Sequence, residues 1–437
     1  MSNGGSPFRV GIDGFNLAIP RGTGVATYAR SLAAVLTGMG HPVDVLYGMD
    51  INPADPPIER QVAFFDQLHT QRGYKPPRYP SVAWARAMGG AWRGQSATSI
   101  PLDGTVEARP MADRLPTHDR ILNAAKLFGL AGQFFRNFGR FVSVRMPDPP
   151  AVMHWTYPVP VRVEGARNIY TVHDLVPLRL PYATLDHKPT HLRLLRECVR
   201  TGDGICTVSE RSREDMLTFV PDADPARVTN TYQAVVAPRL PGAPDRLLEH
   251  GFGLRKGGYF LFFGSVEPKK NLSRLLQAVL EAGLDIPLVV VTARGWQSDA
   301  EAALLDNRPK DDPQIRQIEY VPPDMLAVLV AGARAVTFPS IYEGFGLPVL
   351  EAMLLGTPVL TSREGSLPEV AGTAAEFVDA FDVNSIVAGL RRLATDDARC
   401  AALSAAGRVQ AEQFSVSRYE ERLRALYDRV LSQPARP

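Results

Sequence analysis

The sequence predicts two doubly wound α/β domains, each a parallel sheet wrapped by helices. Three observations carry this. Short apolar runs recur in two separate series along 437 residues. The runs show no polar alternation, which marks strands buried on both faces. Helical patterns lie between them, which marks βαβ units. The first series runs through 8–12, 43–47, 151–154, 168–172, 205–208 and 228–232, and the second through 259–263, 288–292, 317–321, 335–338 and 358–361. A chain of this length is enough for two large domains or three of about 150 residues.

Proline and glycine cluster between 237 and 258, just before the second series starts. That composition predicts a linker. The expected division is 1–240 for the first domain, 241–258 for the linker and 259–416 for the second domain. A helix and tail at 417–437 follow, with Tyr419, Leu423, Leu426 and Tyr427 on one side. Segment 51–150 is the unusual part of the first domain, and 74–104 is assigned no structure.

Composition excludes several classes. Hydrophobic residues make up 45% and charged residues 22%, which excludes a chain that is mostly disordered. A formal net charge of +2 leaves no electrostatic footprint for nucleic acid. Cys198, Cys206 and Cys400 form no C-x-x-C pair, so no structural zinc is expected and the thiols fit a reducing compartment. The start, MSNGGSPFRV, has no apolar leader core, and no run of about 18 apolar residues occurs. The expected location is cytoplasmic, with peripheral contact at the inner face of the cytoplasmic membrane as an addition. That addition comes from residues 120–145, where Arg120, Lys126, Arg136, Arg140 and Arg145 are interleaved with Leu127, Phe128, Leu130, Phe134, Phe135, Phe138 and Phe141 and no acid. A basic amphipathic helix there would lie on an anionic membrane or pack its apolar face on its own domain.

The segment richest in chemistry is 338–361, FPSIYEGFGLPVLEAMLLGTPVLT. Glu343 precedes Gly344, Phe345 and Gly346 as the chain leaves a strand. Leu347 and Pro348 then open a helix that contains Glu351 and stops at Gly356. Backbone amides at such a helix start attract an anion, and the two carboxylates suit sugar and ribose hydroxyls. In 262–279, FFGSVEPKKNLSRLLQAV, Asn271 is expected to cap a helix, and Lys270 lies beside the strand end where it could neutralise a diphosphate. Asp222-Ala223-Asp224 is read as a turn rather than a metal site, and no metal is expected. Ser209 is read as a helix cap. His154-Trp155 ends a strand and offers an aromatic to line an acceptor.

The stretch EGFGLPVLE resembles the E-x7-E motif of the retaining glycosyltransferases of family 4, which have the GT-B fold. Segments 262–279, 362–382, 411–423 and 12–32 resemble other parts of that family, and several look like its bacterial mannosyltransferases of O-antigen and polysaccharide assembly. The resemblance implies a C-terminal helix that returns to the first domain. It also implies roles. His173 would contact the transferred sugar, with Glu343 and Lys270 completing the catalytic group. Gly24, Ser265, Lys270, Arg294, Val321, Gly344, Phe345, Gly346, Leu347 and Glu351 would bind the donor. Gly22, Thr23 and Asp174 would face the acceptor. Ser265 stands where the family often has an arginine. Asp13 is expected to orient the loop after the first strand.

The function implied is retaining transfer of a sugar, mannose first, from a nucleotide diphosphate sugar (GDP-mannose first) to a saccharide or lipid-linked saccharide. No other cofactor is expected. A sugar-nucleotide epimerase on a similar fold and a non-catalytic membrane-surface binding protein are the alternatives.

Overall fold

The computed structural model describes residues 6–19, 24–70, 74–236, 239–293, 303, 305, 309, 312–319 and 321–434. Among them two large sheets stand out. From edge to edge the first contains Val228–Asn230, Gly204–Thr207, Arg167–Val172, Val152–Trp155, Val10–Asp13, Val43–Tyr47, Arg120–Asn123 and Thr98–Ile100. All its neighbours pair parallel except the last two. The second runs Ile315–Ile318, Leu288–Ala293, Phe260–Ser265, Ala335–Phe338, Val359–Ser362 and Glu376–Val378, parallel throughout. Successive residues such as Phe260, Leu261 and Phe262 are all buried, as expected for strands covered by helices on both faces. The doubly wound α/β class holds.

Local differences have physical reasons. The strand expected at 317–321 is Ile315–Ile318, because its register is set by pairing Leu288 with Ile315 rather than by its own sequence. The expected linker carries the helix Pro244–Phe252, whose Leu248 is buried against the helix Pro323–Gly332. Segment 51–150 supplies two strands of the first sheet, three helices, and two strands of a small third sheet.

Residues 120–145 are not one helix. They form the strand Arg120–Asn123, the helix Leu127–Phe138 and the strand Val142–Arg145. Leu127, Leu130, Phe134 and Phe135 are buried in their own domain. Arg120 is paired at 2.6 Å with the buried Asp44. Strand pairing and the glycine at 139, with φ 67°, override the amphipathic pattern.

The last helix, Val416–Ser432, buries Tyr419, Leu423, Leu426, Tyr427 and Val430. It packs on the first domain: the Tyr427 hydroxyl lies 2.8 Å from His154 Nδ1, and Arg167 donates to the Gln433 carbonyl. Burial holds His154 neutral by lowering its pKa to about 3. His154 therefore belongs to the core. So does Trp155, which is fully buried and donates to Asn168 Oδ1 at 3.1 Å, so neither lines an acceptor site. Ser209 caps its helix by accepting from the Ser212 amide, and Asp224 caps a short turn.

Asn271 does not cap its helix. It sits at φ 61° with no side-chain cap bond. Its amide instead donates to the carbonyls of Pro339, at 3.0 Å, and Ala380, at 2.6 Å. The side chain thus fixes the loop that follows the strand Ala335–Phe338. Asn271→Ala is expected to lower unfolding free energy in urea titration by about 3 kcal/mol, since two buried carbonyls lose their donor and alanine is strained at positive φ. Asn271→Gly, which relieves only the strain, should lose less.

Candidate active site

Parallel pairing places every strand end of the second sheet along one edge. Two loops leave that edge side by side. One follows Ser265 and carries Lys269 and Lys270. The other runs from Pro339 to Gly346. The Ile341 amide donates to the Lys269 carbonyl at 2.7 Å, and the Ser362 hydroxyl holds the Ser340 carbonyl at 2.6 Å. Lys270 Nζ then meets Glu343 Oε1 at 2.6 Å, both side chains being largely buried. The same ammonium lies 4.7 Å from the Phe338 ring centre. The sequence reading assigned Lys270 and Glu343 to different parts of one ligand. In the folded chain they also bind each other.

The turn after Glu343 is tightly buttressed. Ser366 contacts the Glu343 carbonyl through its amide, at 3.1 Å, and its hydroxyl, at 3.0 Å. Gly346 adopts φ 102° and opens the helix Leu347–Leu355 without any side-chain cap. This leaves the helix start available to a negative group. The ring of Phe345 turns inward onto Phe414, at 5.5 Å, so only its backbone faces the turn. Glu351 lies one turn into the helix. Its pKa is pushed up to about 7 by burial, with no neighbouring charge contributing.

The first domain meets this turn directly. A side chain on Gly344 would overlap the His173 carbonyl and approach Asp174 Cβ at 2.8 Å, so only glycine fits. The Ser212 hydroxyl lies 2.7 Å from the His173 carbonyl and 3.3 Å from that of Gly344. Tyr342 donates to the buried Asp215. The Glu369 carboxylate accepts from the Glu210 amide, at 2.7 Å, and the Arg211 amide, at 3.3 Å, at the start of the helix Glu210–Phe219. Lys269 reaches Asp174 at 3.5 Å. Burial opposes both charges, yet their attraction prevails: Lys269 is raised and Asp174 lowered.

His173 is held by its own domain. Its Nε2–H donates to the Thr156 carbonyl at 2.8 Å, and Tyr28 stands at right angles to the ring, 4.9 Å away. Burial lowers the pKa of His173, so the ring is neutral. The Thr156 amide in turn donates to Asp13 at 2.5 Å, and Asp13 also accepts from the Phe15 amide at 3.2 Å. Burial raises Asp13 to about 6. Asp13 thus holds the chain just after the first strand, and also steadies His173 through Thr156; the glycine loop it was expected to orient lies mostly outside the described residues.

The structure therefore brings together His173, Asp174, Lys270, Glu343, Gly344 and the helix start at Gly346 and Leu347. Gly24 lies opposite Leu347, whose Cδ1 would be 3.7 Å from a side chain placed there. Ser265 lies on the same edge but does not offer a free donor, since its hydroxyl binds Glu267 at 2.5 Å. Its proton is committed because the neighbouring carboxylate is the stronger acceptor. Val321 is buried just beyond the edge strand. Gly22, Thr23 and Arg294 lie outside the described residues. Sequence reasoning missed Lys269, Tyr28, Thr156, Ser212 and Tyr342. The paired lysines were the one visible signal; the others act through tertiary contacts.

Comparison with known proteins bears on the family and the fold. Residues 252–410 match the family described as Glycosyl transferases group 1. The chain is similar to O-antigen chain mannosyltransferase B of Escherichia coli, 36% identical over 265 residues, covering 59% of this chain and 68% of that protein. It is also similar to the MMP alpha-(1->4)-mannosyltransferase of Mycolicibacterium hassiacum, 30% identical over 237 residues, with 53% of this chain and 55% of the relative covered. Among solved structures, WaaG, a glycosyltransferase involved in lipopolysaccharide biosynthesis, superposes with a TM-score of 0.61 at 14% identity over 97% of this chain and all of that one. Anabaena HepE in complex with UDP and glucose gives 0.64 at 12% identity over 96% and 98%. These two share the GT-B fold. By its sequence match and its two facing α/β domains, the chain belongs to the group 1 glycosyl transferases and is a glycosyltransferase.

Proposed function

We propose that this enzyme transfers mannose, with retention, from GDP-mannose to a saccharide acceptor in the assembly of a cell-surface polysaccharide. The observation that carries the reading is the Lys270–Glu343 pair beside an uncapped helix start, with His173 packed opposite. The similarity to two mannosyltransferases supports the choice of sugar.

Breaking the anomeric bond builds positive charge on the sugar and negative charge on the leaving diphosphate. Groups fixed in advance near that oxygen lower the barrier. An ammonium has three protons to donate, so Lys270 can hold Glu343 with one and phosphate oxygens with the others. The amide at Leu347 and the helix dipole add to this. The Glu343 carboxylate and neutral His173 position the sugar, while Glu351 accepts from the ribose hydroxyls. Asp174 lies on the acceptor side, held by Lys269. The contact between Gly344 and His173 excludes water from the reacting centre.

A donor panel with and without a saccharide acceptor tests the reading. Nucleotide release that requires acceptor is expected; conversion of donor without acceptor would instead identify an epimerase, and donor binding with no turnover a non-catalytic protein. Lys270→Ala should reduce kcat at least about 100-fold, the loss seen when one donor to a developing negative charge is removed. Glu351→Ala should weaken nucleotide affinity by about tenfold in calorimetry, as for one lost hydrogen bond to a charged group; unchanged affinity would refute its assignment.

Glu351 also predicts a pH effect. Its folded pKa, about 7, lies above the ordinary 4.5, so the folded chain holds the proton more tightly than the unfolded chain. Stability from this group is present below pH 4.5 and lost as pH rises to about 7. Glu351→Gln should therefore stabilise the unliganded protein by about 2 kcal/mol at pH 8 and much less at pH 5. Thermal unfolding at both pH values measures the difference.

A further inference from the structure

The helix Val82–Arg93 carries apolar side chains on two faces. Met88 and Ala91 are buried inward. Val82, Ala85, Gly89 and Trp92 recur at three- and four-residue spacing along the outer side, where Val82 is 76% and Trp92 51% exposed. Nothing stands within 4 Å of the space above Gly89. An ordinary surface helix has one apolar face, turned to the core.

The outer stripe is part of a contiguous patch. Trp92 lies 5.6 Å from Phe138 and Trp84 lies 4.8 Å from Tyr79, with Trp84 and Phe138 6.4 Å apart. Tyr79 is 74% and Phe138 39% exposed. Large exposed side chains that adjoin one another mark an interaction surface, whereas isolated ones do not.

The two segments that form the patch are rich in cations. Residues 74–102 carry Lys75, Arg78, Arg86 and Arg93 and no acid. Of the cations in 124–147, Lys126 pairs with Asp50 and Arg145 with Glu164, while Arg136 and Arg140 lie on the patch side and pair with no acid among the described residues. Arg140 lies over the Trp92 ring, 4.9 Å from its centre. Arg86, Arg93 and Arg136 are exposed. A protein partner would require matching acids. A sheet of anionic phosphates with an apolar layer beneath satisfies both the arginines and the rings, because tryptophan and tyrosine settle at that boundary. Among the described residues no helix is long and apolar enough to cross a membrane, so contact would be superficial.

We propose that the face formed by the helix Val82–Arg93 and the end of the helix Leu127–Phe138 docks on an anionic lipid bilayer. This moves the membrane contact away from the buried face of 120–145 and onto a neighbouring helix. It stands whether or not the sugar assignment is right.

The test is sedimentation of the full chain with phosphatidylcholine vesicles, with and without phosphatidylglycerol. Binding is expected only with the anionic lipid, with a blue shift of tryptophan emission. The double variant Tyr79→Ser, Val82→Ser, at positions that bear little of the core, should lower vesicle affinity at least tenfold with Tm unchanged. Arg86→Glu with Arg93→Glu should abolish it. Turnover of a water-soluble acceptor should be unaffected by either. Absence of binding to anionic vesicles would overturn the proposal, as would equal binding by wild type and both variants. So would a dimer in analytical ultracentrifugation that Val82→Asp dissociates, since a second copy would then occupy the face.

Discussion

The two domains meet backbone against backbone at Gly344 and the carbonyl of His173, where an added side chain would overlap that oxygen. Any side chain at 344 would force the two loops apart. Around this contact the protein places groups that each reach across: the Ser212 hydroxyl between two carbonyls, Tyr342 on Asp215, Glu369 on the amides of Glu210 and Arg211, and Lys269 on Asp174. Most of these use a charged or polar partner rather than apolar packing. Such contacts are short-ranged and directional, so a small separation of the domains breaks them together. A hydrophobic interface of the same extent would resist opening more than one held by such polar contacts.

The charges follow the same logic. A buried ion pair costs desolvation on both partners and contributes little to stability on balance. Lys270 and Glu343 are nonetheless buried together on adjoining loops. Pairing holds each side chain in place on its own loop. Lys269 and Asp174 do this between the domains. Of the two lysines that the sequence sets side by side, one thus serves the loop and the other the interdomain contact.

Legibility in the sequence followed the range of the interaction. The strands 43–47 and 335–338 were read to the residue, because runs of apolar residues buried on both faces state their own extent. The strand Ile315–Ile318 was displaced, because its neighbour sets its register. Residues 120–145 failed because composition alone cannot show that strand pairing interrupts a helical pattern. In the site, the glycine turn and its two glutamates were visible as a motif. Asn271 was misread, since a residue before a helix looks like a cap while its side chain here serves a distant loop. Ser265 lost its expected freedom to Glu267, two residues away. Thr156 and Tyr28 could not have been found, as one follows a neighbouring strand and the other lies on the helix Gly24–Gly38, and they reach His173 only through tertiary packing.

The two glutamates of the turn show how one short motif divides its work. Glu343 is extended from a loop and meets a lysine. Glu351 is fixed on a helix and partly buried with no compensating charge, and that burial raises its pKa to about 7. The seven residues between them carry the chain from a loop beside Lys270 to the interior of a helix, and it is this change of surroundings that gives two identical side chains different chemistry.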